Sequence, residues 1–578
     1  MTIRGKALVM GDDTRSFLAT VRSLGRQGIE VHAAPYNLRS PALVSRYIRK
    51  VHRLPYYLND GADWIEALQK LMATEQYNFI IPCEERALLP LFKHQQLLPP
   101  GAALAIPSAE ALDVFFDKVN TRALAIQQGV PVAKGKVLET QDTTESILER
   151  LTLPLVGKSR KSYSWPNLYV RTSVKMLTSR SALAQWVAEN QNHAGEVFLE
   201  ETLTGYGLGL SVLCHQGEVL QAFEHHRAHE QMGSSYYRNS ALIQPERLKA
   251  VQKMVRGVAY TGLAMFEFKH DANSGKWALL EVNARVWGSL ALPVAIGIDF
   301  PYRLYQLIAE GKRTPELAYR TNVYARNFVS DLWQLRAATQ QLSHSKKATF
   351  SYVASWLAGL TRLLVGREHH DAWTWDDFKP GVVEIKQLVQ DKHLFGTPTK
   401  KFKELLSSKQ VIQLLQEFHK QNHKPAQIVF VCQGNICRSP YAEYKARQLF
   451  ADHQEKLAFS SAGMLPRNHR PSPANAVSAA AACGIDLTQH QSHNLTGEVL
   501  NQAQLIVIFD EINFDFFKNR YPESQKPTAL ITSFKSNNNI AVVNDPEGDT
   551  TEGFINCYRN IDEYLTFYKQ AIDEIYSN

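Results

Sequence analysis

The sequence predicts an α/β protein of several domains, and three stretches predict it. The first 110 residues alternate β-branched runs with helical spacing, residues 265 to 285 read as two acid-bearing antiparallel strands, and residues 426 to 450 run from an apolar strand through a cysteine loop into a helix. At 578 residues the chain exceeds one ordinary core, so several domains are expected. A hydrophobic fraction of 44% and a charged fraction of 21% are globular values. No window approaches about 18 uninterrupted apolar residues, and MTIRGKALVMGDD lacks the apolar core of a secretory signal. Six cysteines do not make a disulfide framework, so the expected location is cytoplasmic.

The elements follow in order. KALVMG, a turn at Asp12-Asp13, the helix-like RSFLATVRSLGRQG and IEVHAA read as βαβ, and YNFIIPCEE as a further strand with a polar end. Gly11 alone does not make a dinucleotide loop, so residues 1–112 read as an α/β scaffold domain.

In MFEFKHDANSGKWALLEVNAR the turn DANSG joins two strands. Glu267 sits on the first, while Glu281 and Asn283, two apart, share a face of the second. Phe266, Phe268, Leu280 and Val282 are expected on the buried face. Two carboxylates and a carboxamide are hard ligands for Mg²⁺ bound to nucleotide phosphates, with Mn²⁺ the alternative, and Arg285 extends that face. LLEVNAR resembles the E-x-N-x-R signature of ATP-grasp enzymes, nearest to the carbamoyl-phosphate-synthase-like carboxylate–amine ligases. The order of segments agrees: Lys118 in DKVNTRALAIQQGVPVA, Lys158 in PLVGKSR, and Glu200 and Glu201 in VFLEETLTGYGLGLSV. The resemblance implies an ATP-grasp domain over 113–311 that binds ATP through these four residues. It implies small carboxylate and amine substrates joined through an acyl phosphate. Two features depart from it: TGYGLG carries no acid for the ribose, and KSRKSYSWPN stands where a glycine-rich loop is expected. The second reading is therefore a regulatory half that binds a nucleotide or sugar without turnover. In EHHRAHEQMGSSYYRNS, His226, Arg227 and Arg238 are offered to an anionic substrate, with an exposed polar loop as the equal alternative.

Between Lys312 and Lys424, 18 Lys plus Arg face 10 Asp plus Glu, which accounts for the whole net charge of +8. This tract, 312–424, reads as a basic, mainly helical connector. In FSYVASWLAGLTRLL, Val353, Trp356, Leu357, Leu360 and Leu364 share a helical face flanked by Lys346, Lys347, Arg362 and Arg367. Such a helix either docks on a neighbouring domain or contacts a membrane surface through 346–367. HHDAWTWDDFKPG looks like the tail that follows some polysaccharide-cluster ATP-grasp domains, and no nucleic-acid partner is expected.

AQIVFV reads as a buried strand and SPYAEYKARQLFADH as a helix with Ser439 as N-cap, Pro440 in the first turn, and Ala442, Ala446 and Phe450 on one side. The loop between them, QGNIC, lies where backbone N–H groups and the helix dipole converge on an anion. That field favours the thiolate of Cys432, and Arg438 adds a fork for phosphate oxygens. VCQGNICRSP resembles the phosphate-binding loop of the low-molecular-weight protein tyrosine phosphatases, and the match runs over 425–578. SSAG at 460 to 463, GIDLTQH at 484 to 490 and AQLIVIFD at 503 to 510 agree with it. The resemblance implies Cys432 as nucleophile, Asp545 of Asp545-Pro546 as general acid, and Asn435, Ser439 and His490 holding the loop. Cys437 is placed to form a reversible disulfide with Cys432. Cys83, Cys214, Cys483 and Cys557 read as structural. Glu547-Gly548 and Met464-Leu465-Pro466 stand where many members carry aromatics. A phosphotyrosine protein is thus the family's default substrate, with a small phosphate ester or an arsenate reductase activity as alternatives. The whole chain reads as a bifunctional enzyme.

Overall fold

The computed structural model describes residues 4–55, 57, 59–163, 168, 174–231, 234–341, 346–390, 405–422, 424–465, 468–521, 523–534, 542–543, 545–546 and 551–576; 164–167, 232–233, 466 and 547–548, named above, lie outside them. The chain divides into two compact units, Met1–Gln387 and Leu388–Asn578.

The first unit opens with a parallel sheet of β1 Lys6–Met10, β2 Glu30–Ala34, β3 Ile48–Val51, β4 Phe79–Pro82 and β5 Ala103–Leu104, ordered β3-β2-β1-β4-β5. Its central strands are buried on both faces, as their continuous apolar runs require. The helix Ser16–Arg26 that follows β1 has a closed N-terminus. Asp13 accepts there from the backbone N–H groups of Arg15 (2.8 Å), Ser16 (2.5 Å) and Phe17 (3.1 Å). A capped end offers no seat to a phosphate, in keeping with the scaffold reading of Gly11.

A smaller antiparallel sheet follows: β6 Gly135–Val137, β7 Leu155–Ser159, β8 Lys175–Leu177 and β9 Val197–Glu201, ordered β6-β9-β7-β8. Seven strands form the third sheet: β10 Tyr206–His215, β11 Glu218–Gln231, β12 Ser234–Ala241, β13 Gly262–His270, β14 Trp277–Asn283, β15 Tyr324–Arg326 and β16 Glu368–His370, ordered β14-β13-β10-β11-β12-β15-β16. One face buries Leu210, Phe266 and Leu279 with Val251 and Val255 of the helix Pro245–Gly257, and the other packs Phe223 and Met265 against Val9 and Phe17.

The hairpin β13–β14 forms as its sequence predicts, with Glu267 opposite Glu281. One detail differs. Phe268 pairs with Leu279, so Leu280 is a bulge residue outside the ladder. Leu279 and Val282 enter the core, and Leu280 turns to the side that carries Glu281.

The tract 312–424 is not one connector. β15 and β16 complete the large sheet, and the acids of HHDAWTWDDFKPG are used as anchors. Arg22 bonds Asp377 at 2.9 Å, Arg26 bonds Asp376 at 2.7 Å, and Arg238 bonds Asp371 at 3.0 Å. The helix Lys346–Leu364 docks through Trp356 Nε1 on Asp331 (2.6 Å) and Arg362 on the Tyr237 hydroxyl (2.7 Å). Leu357, expected on that inward face, is exposed. The helix Ser408–Gln421 belongs to the second unit, where it packs on β17.

That unit is built on a parallel sheet of β17 Ala426–Cys432, β18 Leu457–Gly463, β19 Leu505–Ile508 and β20 Thr528–Leu530, ordered β18-β17-β19-β20. The strand order reverses at β17, and Cys432 is its last residue, so the thiol sits at the crevice where an open parallel sheet binds ligands. Among the described residues no helix is long and apolar enough to cross a membrane.

Candidate functional site

The loop after β17 wraps its backbone around one sulfur. Asn435 adopts the left-handed region (φ 53°), which asparagine tolerates better than most residues. That turn brings its N–H to 3.2 Å from Cys432 Sγ, and the Ser439 hydroxyl lies 3.0 Å from the same sulfur. The Asn435 carboxamide then locks the loop. Its Nδ2 donates to Ser439 Oγ (2.9 Å) and Ser461 Oγ (2.8 Å), and its Oδ1 accepts from His493 N (2.7 Å). His490 Nε2 meets the Asn435 carbonyl at 2.8 Å, so the imidazole donates. Gly463 on β18 lets the loop approach closely, because a Cβ there would lie a tight 3.1 Å from Asn435 N and from the Gly434 carbonyl carbon.

Arg438 opens the next helix, Arg438–Leu449, with Cys437 as its N-cap. The guanidinium is buried against Asp510, donates to the Val543 carbonyl at 2.7 Å, and reaches Asp545 at 2.6 Å. Burial disfavours its charge, but Asp545 and Asp510 more than offset that and raise its pKa. The Cys432 sulfur lies within reach of the same charge.

In the first unit a cleft lies between β14, β9 and the helix Lys118–Gln127. Asp117 caps that helix, and the Lys118 N–H donates to the Arg160 carbonyl at 2.8 Å, which ties the lysine to the end of β7. Lys118 Nζ reaches Ser162 Oγ at 3.1 Å. Lys158 on β7 forms an ion pair with Glu200 on β9. Opposite these, Glu281, Asn283 and Arg285 line the wall. Glu267 lies just behind, bonded by Asn283 Nδ2 at 3.0 Å and paired with Arg227. Burial raises the Glu267 pKa, Arg227 opposes the rise and Glu281 adds to it. A buried carboxylate facing a second one, beside a carboxamide oxygen, is a donor set that fits a hard dication. Arg285 reaches Glu85 at 3.2 Å; burial opposes its charge, and Glu85 with Glu281 outweighs burial.

Two family models match. Residues 427–577 match the low molecular weight phosphotyrosine protein phosphatase family, and residues 193–328 match "ATP-grasp in the biosynthetic pathway with Ter operon". The chain fuses an ATP-grasp domain to a low-molecular-weight tyrosine phosphatase domain. The phosphatase domain is 30% identical over 111 residues to the low molecular weight protein-tyrosine-phosphatase Ptp of Acinetobacter johnsonii, covering 19% of this chain and 75% of that protein. It is 35% identical over 95 residues to the probable phosphatase EpsP of Ralstonia nicotianae, covering 16% of this chain; the chain thus spans 63% of that relative's length. Among solved structures, N5-carboxyaminoimidazole synthetase from Staphylococcus aureus is similar at 15% identity with a TM-score of 0.46, over 59% of this chain and 87% of that one.

The phosphatase domain brings Cys432, Asn435, Ser439 and His490 together, and places Arg438 on Asp545. Ser439 is not the N-cap: the helix starts one residue earlier, and its hydroxyl turns to the sulfur instead. The ATP-grasp domain brings Lys118, Glu200, Glu281, Asn283 and Arg285 to one cleft, with Lys158 and Glu267 attached through Glu200 and Asn283. Glu201 points elsewhere and accepts from Thr152 N at 2.9 Å, because neighbouring strand residues face opposite sides. Arg238 is fully buried on Asp371, so it serves the fold. His226 lies tilted against the Tyr206 ring, outside the cleft lining. Sequence reasoning missed Arg122 and Glu85 in the cleft, and Asp510, His493 and Glu443 around the loop. Arg122 had a readable signal: it lies four residues after Lys118, on the same helix face. Glu443, which accepts from Ser461 at 2.5 Å and so anchors the partner of Asn435, had none.

Proposed function

We propose that the chain is a bifunctional enzyme: a Mg-ATP-dependent carboxylate–amine ligase fused to a cysteine-dependent phosphatase for phosphotyrosine proteins. The observation that carries this reading is a pair of unlike pockets suited to phosphorus. One offers a sulfur and a guanidinium, the other facing carboxylates ringed by lysine and arginine.

In the phosphatase domain Arg438 exchanges Asp545 for two oxygens of the incoming phosphate, a fork-to-fork contact. Cys432 Sγ attacks phosphorus, the P–O bond to the leaving group breaks, and Asp545 gives that oxygen its proton. Asp545, now a carboxylate, takes a proton from the water that attacks the phosphocysteine, and the P–S bond breaks. The Asn435 N–H and the Ser439 hydroxyl steady the departing sulfur.

In the ATP-grasp domain Glu267, Glu281 and Asn283 would hold Mg²⁺, which supplies charge neutralisation at the phosphates of ATP. Lys118 and Arg122 line the same cleft, Lys158 joins it through Glu200, and together they balance the triphosphate. Glu200 meets Lys158 until the nucleotide arrives. Arg285 orients the substrate carboxylate, which attacks the γ-phosphorus of ATP and expels ADP to give the acyl phosphate; an amine then attacks the acyl carbon, displaces phosphate and loses a proton. With Glu267 on the metal, Arg227, which pairs with it here, would turn to that anion. The domains read as 1–112 and 113–311 extended by the sheet and clasp residues to 387, then 425–578 preceded by the helix Ser408–Gln421.

The test is a pair of single substitutions in the full chain. Cys432→Ser should abolish aryl-phosphate hydrolysis by at least about 10⁴-fold and leave Mg-ATP turnover intact. Glu281→Ala should do the reverse. Phosphatase activity surviving in the first variant refutes the nucleophile, and undiminished ATP turnover in the second removes Glu281 from the metal set. ATP binding without consumption across pools of carboxylates and amines would establish the regulatory reading instead.

A second surface supports a membrane contact. From residue 332 to 367 the chain carries five Lys or Arg and no acid, and Phe350, Leu357 and Val365 are exposed along this tract. Co-sedimentation with anionic but not neutral vesicles is the expected result, and equal binding to both overturns it.

A further inference from the structure

At the edge of the first sheet three side chains that neither reaction uses converge on one point. His32 lies on β2, His52 directly follows β3, and Glu75 ends the helix Ala62–Glu75, which stops where Gln76 turns left-handed (φ 55°). One nitrogen from each histidine and one Glu75 oxygen lie within 4.8 Å of one another. His32 Nδ1 is 3.0 Å from His52 Nε2 and 3.8 Å from Glu75 Oε2, and His52 Nε2 is 3.9 Å from Glu75 Oε1.

The orientation of His32 is fixed from behind. Its Nε2 lies 3.1 Å from Glu30 Oε1, and a carboxylate only accepts, so Nε2 carries the hydrogen and Nδ1 is left as an acceptor on the cluster side. The Tyr77 hydroxyl, 2.9 Å away, donates to that lone pair and would give it up to an ion. This carboxylate–imidazole pairing is how proteins aim a ligating histidine and raise its basicity. Burial lowers the pKa of both histidines and keeps them neutral, the form that binds a metal. His32 is buried, whereas 20% of the His52 side chain is exposed and gives an ion a way in.

We propose that His32 Nδ1, His52 Nε2 and the Glu75 carboxylate form a binding site for a zinc-class divalent metal, with the fourth position left to water. Two imidazoles and one carboxylate suit Zn²⁺ far better than Mg²⁺, so this site is chemically distinct from the all-oxygen set of the cleft. The ion ties edge strand β3 to β2 and to the helix behind them. Without it, Lys6 (3.1 Å) and Lys50 (2.8 Å) meet the Glu75 charge and hold its pKa down at about 2. Lys50 is 54% exposed and swings to solvent as the metal takes the carboxylate. His52 then binds as the Nδ1–H tautomer, with no net proton released.

The test uses the full-length protein carrying Cys432→Ser, so that the thiol cannot bind zinc, stripped with a chelator and dialysed against micromolar Zn²⁺ in millimolar Mg²⁺. Counting metal by mass spectrometry should give one equivalent more than in the same protein with His52→Gln. Co²⁺ in place of zinc should give visible bands that require His52. Lys50→Ala removes a competing ammonium without removing a ligand, and should tighten zinc binding several-fold. Equal zinc content with and without His52, or an affinity unmoved by Lys50→Ala, overturns the proposal. Matching circular dichroism spectra confirm that each variant is folded.

Discussion

The loop of the second unit and the cleft of the first both present groups for phosphate, but they draw on the chain in opposite ways. The sulfur, its N–H donor, the hydroxyl and the guanidinium all come from residues 432 to 439, and one backbone turn sets their geometry. The groups of the cleft lie between Glu85 and Arg285, on helices and on strands of two different sheets. A site folded from one turn depends on that turn's conformation. A site gathered from distant elements depends on the packing that brings them together and on a balance of charge among them.

After the nucleophile itself, the largest effect should come from Asp545, which lies 107 residues beyond Arg438 in sequence and meets its guanidinium. Asp545→Asn should lower kcat for phenyl phosphate by about 10²–10³-fold, the range for losing a general acid. It should cost p-nitrophenyl phosphate much less, since that leaving group needs little protonation. The contrast separates two roles, because Asp545 also pairs with Arg438 at 2.6 Å. Equal losses on both substrates would mean that Asp545 only positions the guanidinium.

The same contrast explains what was legible in the sequence. Spacing placed Cys432 and Arg438 at a strand-to-helix turn and the family resemblance added Asn435, because short-range geometry there is nearly determined by residue type. Glu267, Glu281 and Asn283 were legible for a related reason, since a hairpin with a five-residue turn fixes its own register. What stayed hidden depended on tertiary packing. The bulge at Leu280 is invisible to a period-two count. The tract 312–424 looked like a basic connector because charge counts do not show partners. Arg22, Arg26 and Arg238, hundreds of residues earlier, take up Asp377, Asp376 and Asp371. Glu201 was grouped with Glu200 by adjacency, although a strand sends neighbours to opposite faces.

If the loop depends on its turn, Asn435 is where it should break. Asn435→Ala loses three side-chain hydrogen bonds and leaves His493 N without its acceptor, in a residue already at φ 53°. The second unit should lose about 2–4 kcal/mol, read by denaturant unfolding, with hydrolysis falling alongside. Asn435→Gly relieves the backbone conformation but restores none of these bonds. A glycine variant as stable as the wild type would show that the carboxamide network contributes little and that strain was the whole effect.

The smallest effect probes the charge balance of the first unit. Glu384 accepts from Thr14 Oγ1 at 2.9 Å, and burial pushes its pKa from 4.5 up to about 7. A carboxyl raised in the folded state favours folding in its neutral form. That contribution is complete below pH 4.5 and is lost as pH climbs through 7, where the unfolded chain ionises freely and the folded one resists. Glu384→Gln keeps an acceptor for Thr14 and removes the ionisation. Relative to wild type it should leave stability unchanged near pH 4 and gain on the order of 2 kcal/mol at pH 8. The gain should fall only on the transition that reports the first unit. The loop unit serves as the internal control, so a pH slope changed in both transitions, or in neither, would remove Glu384 from the charge balance proposed here.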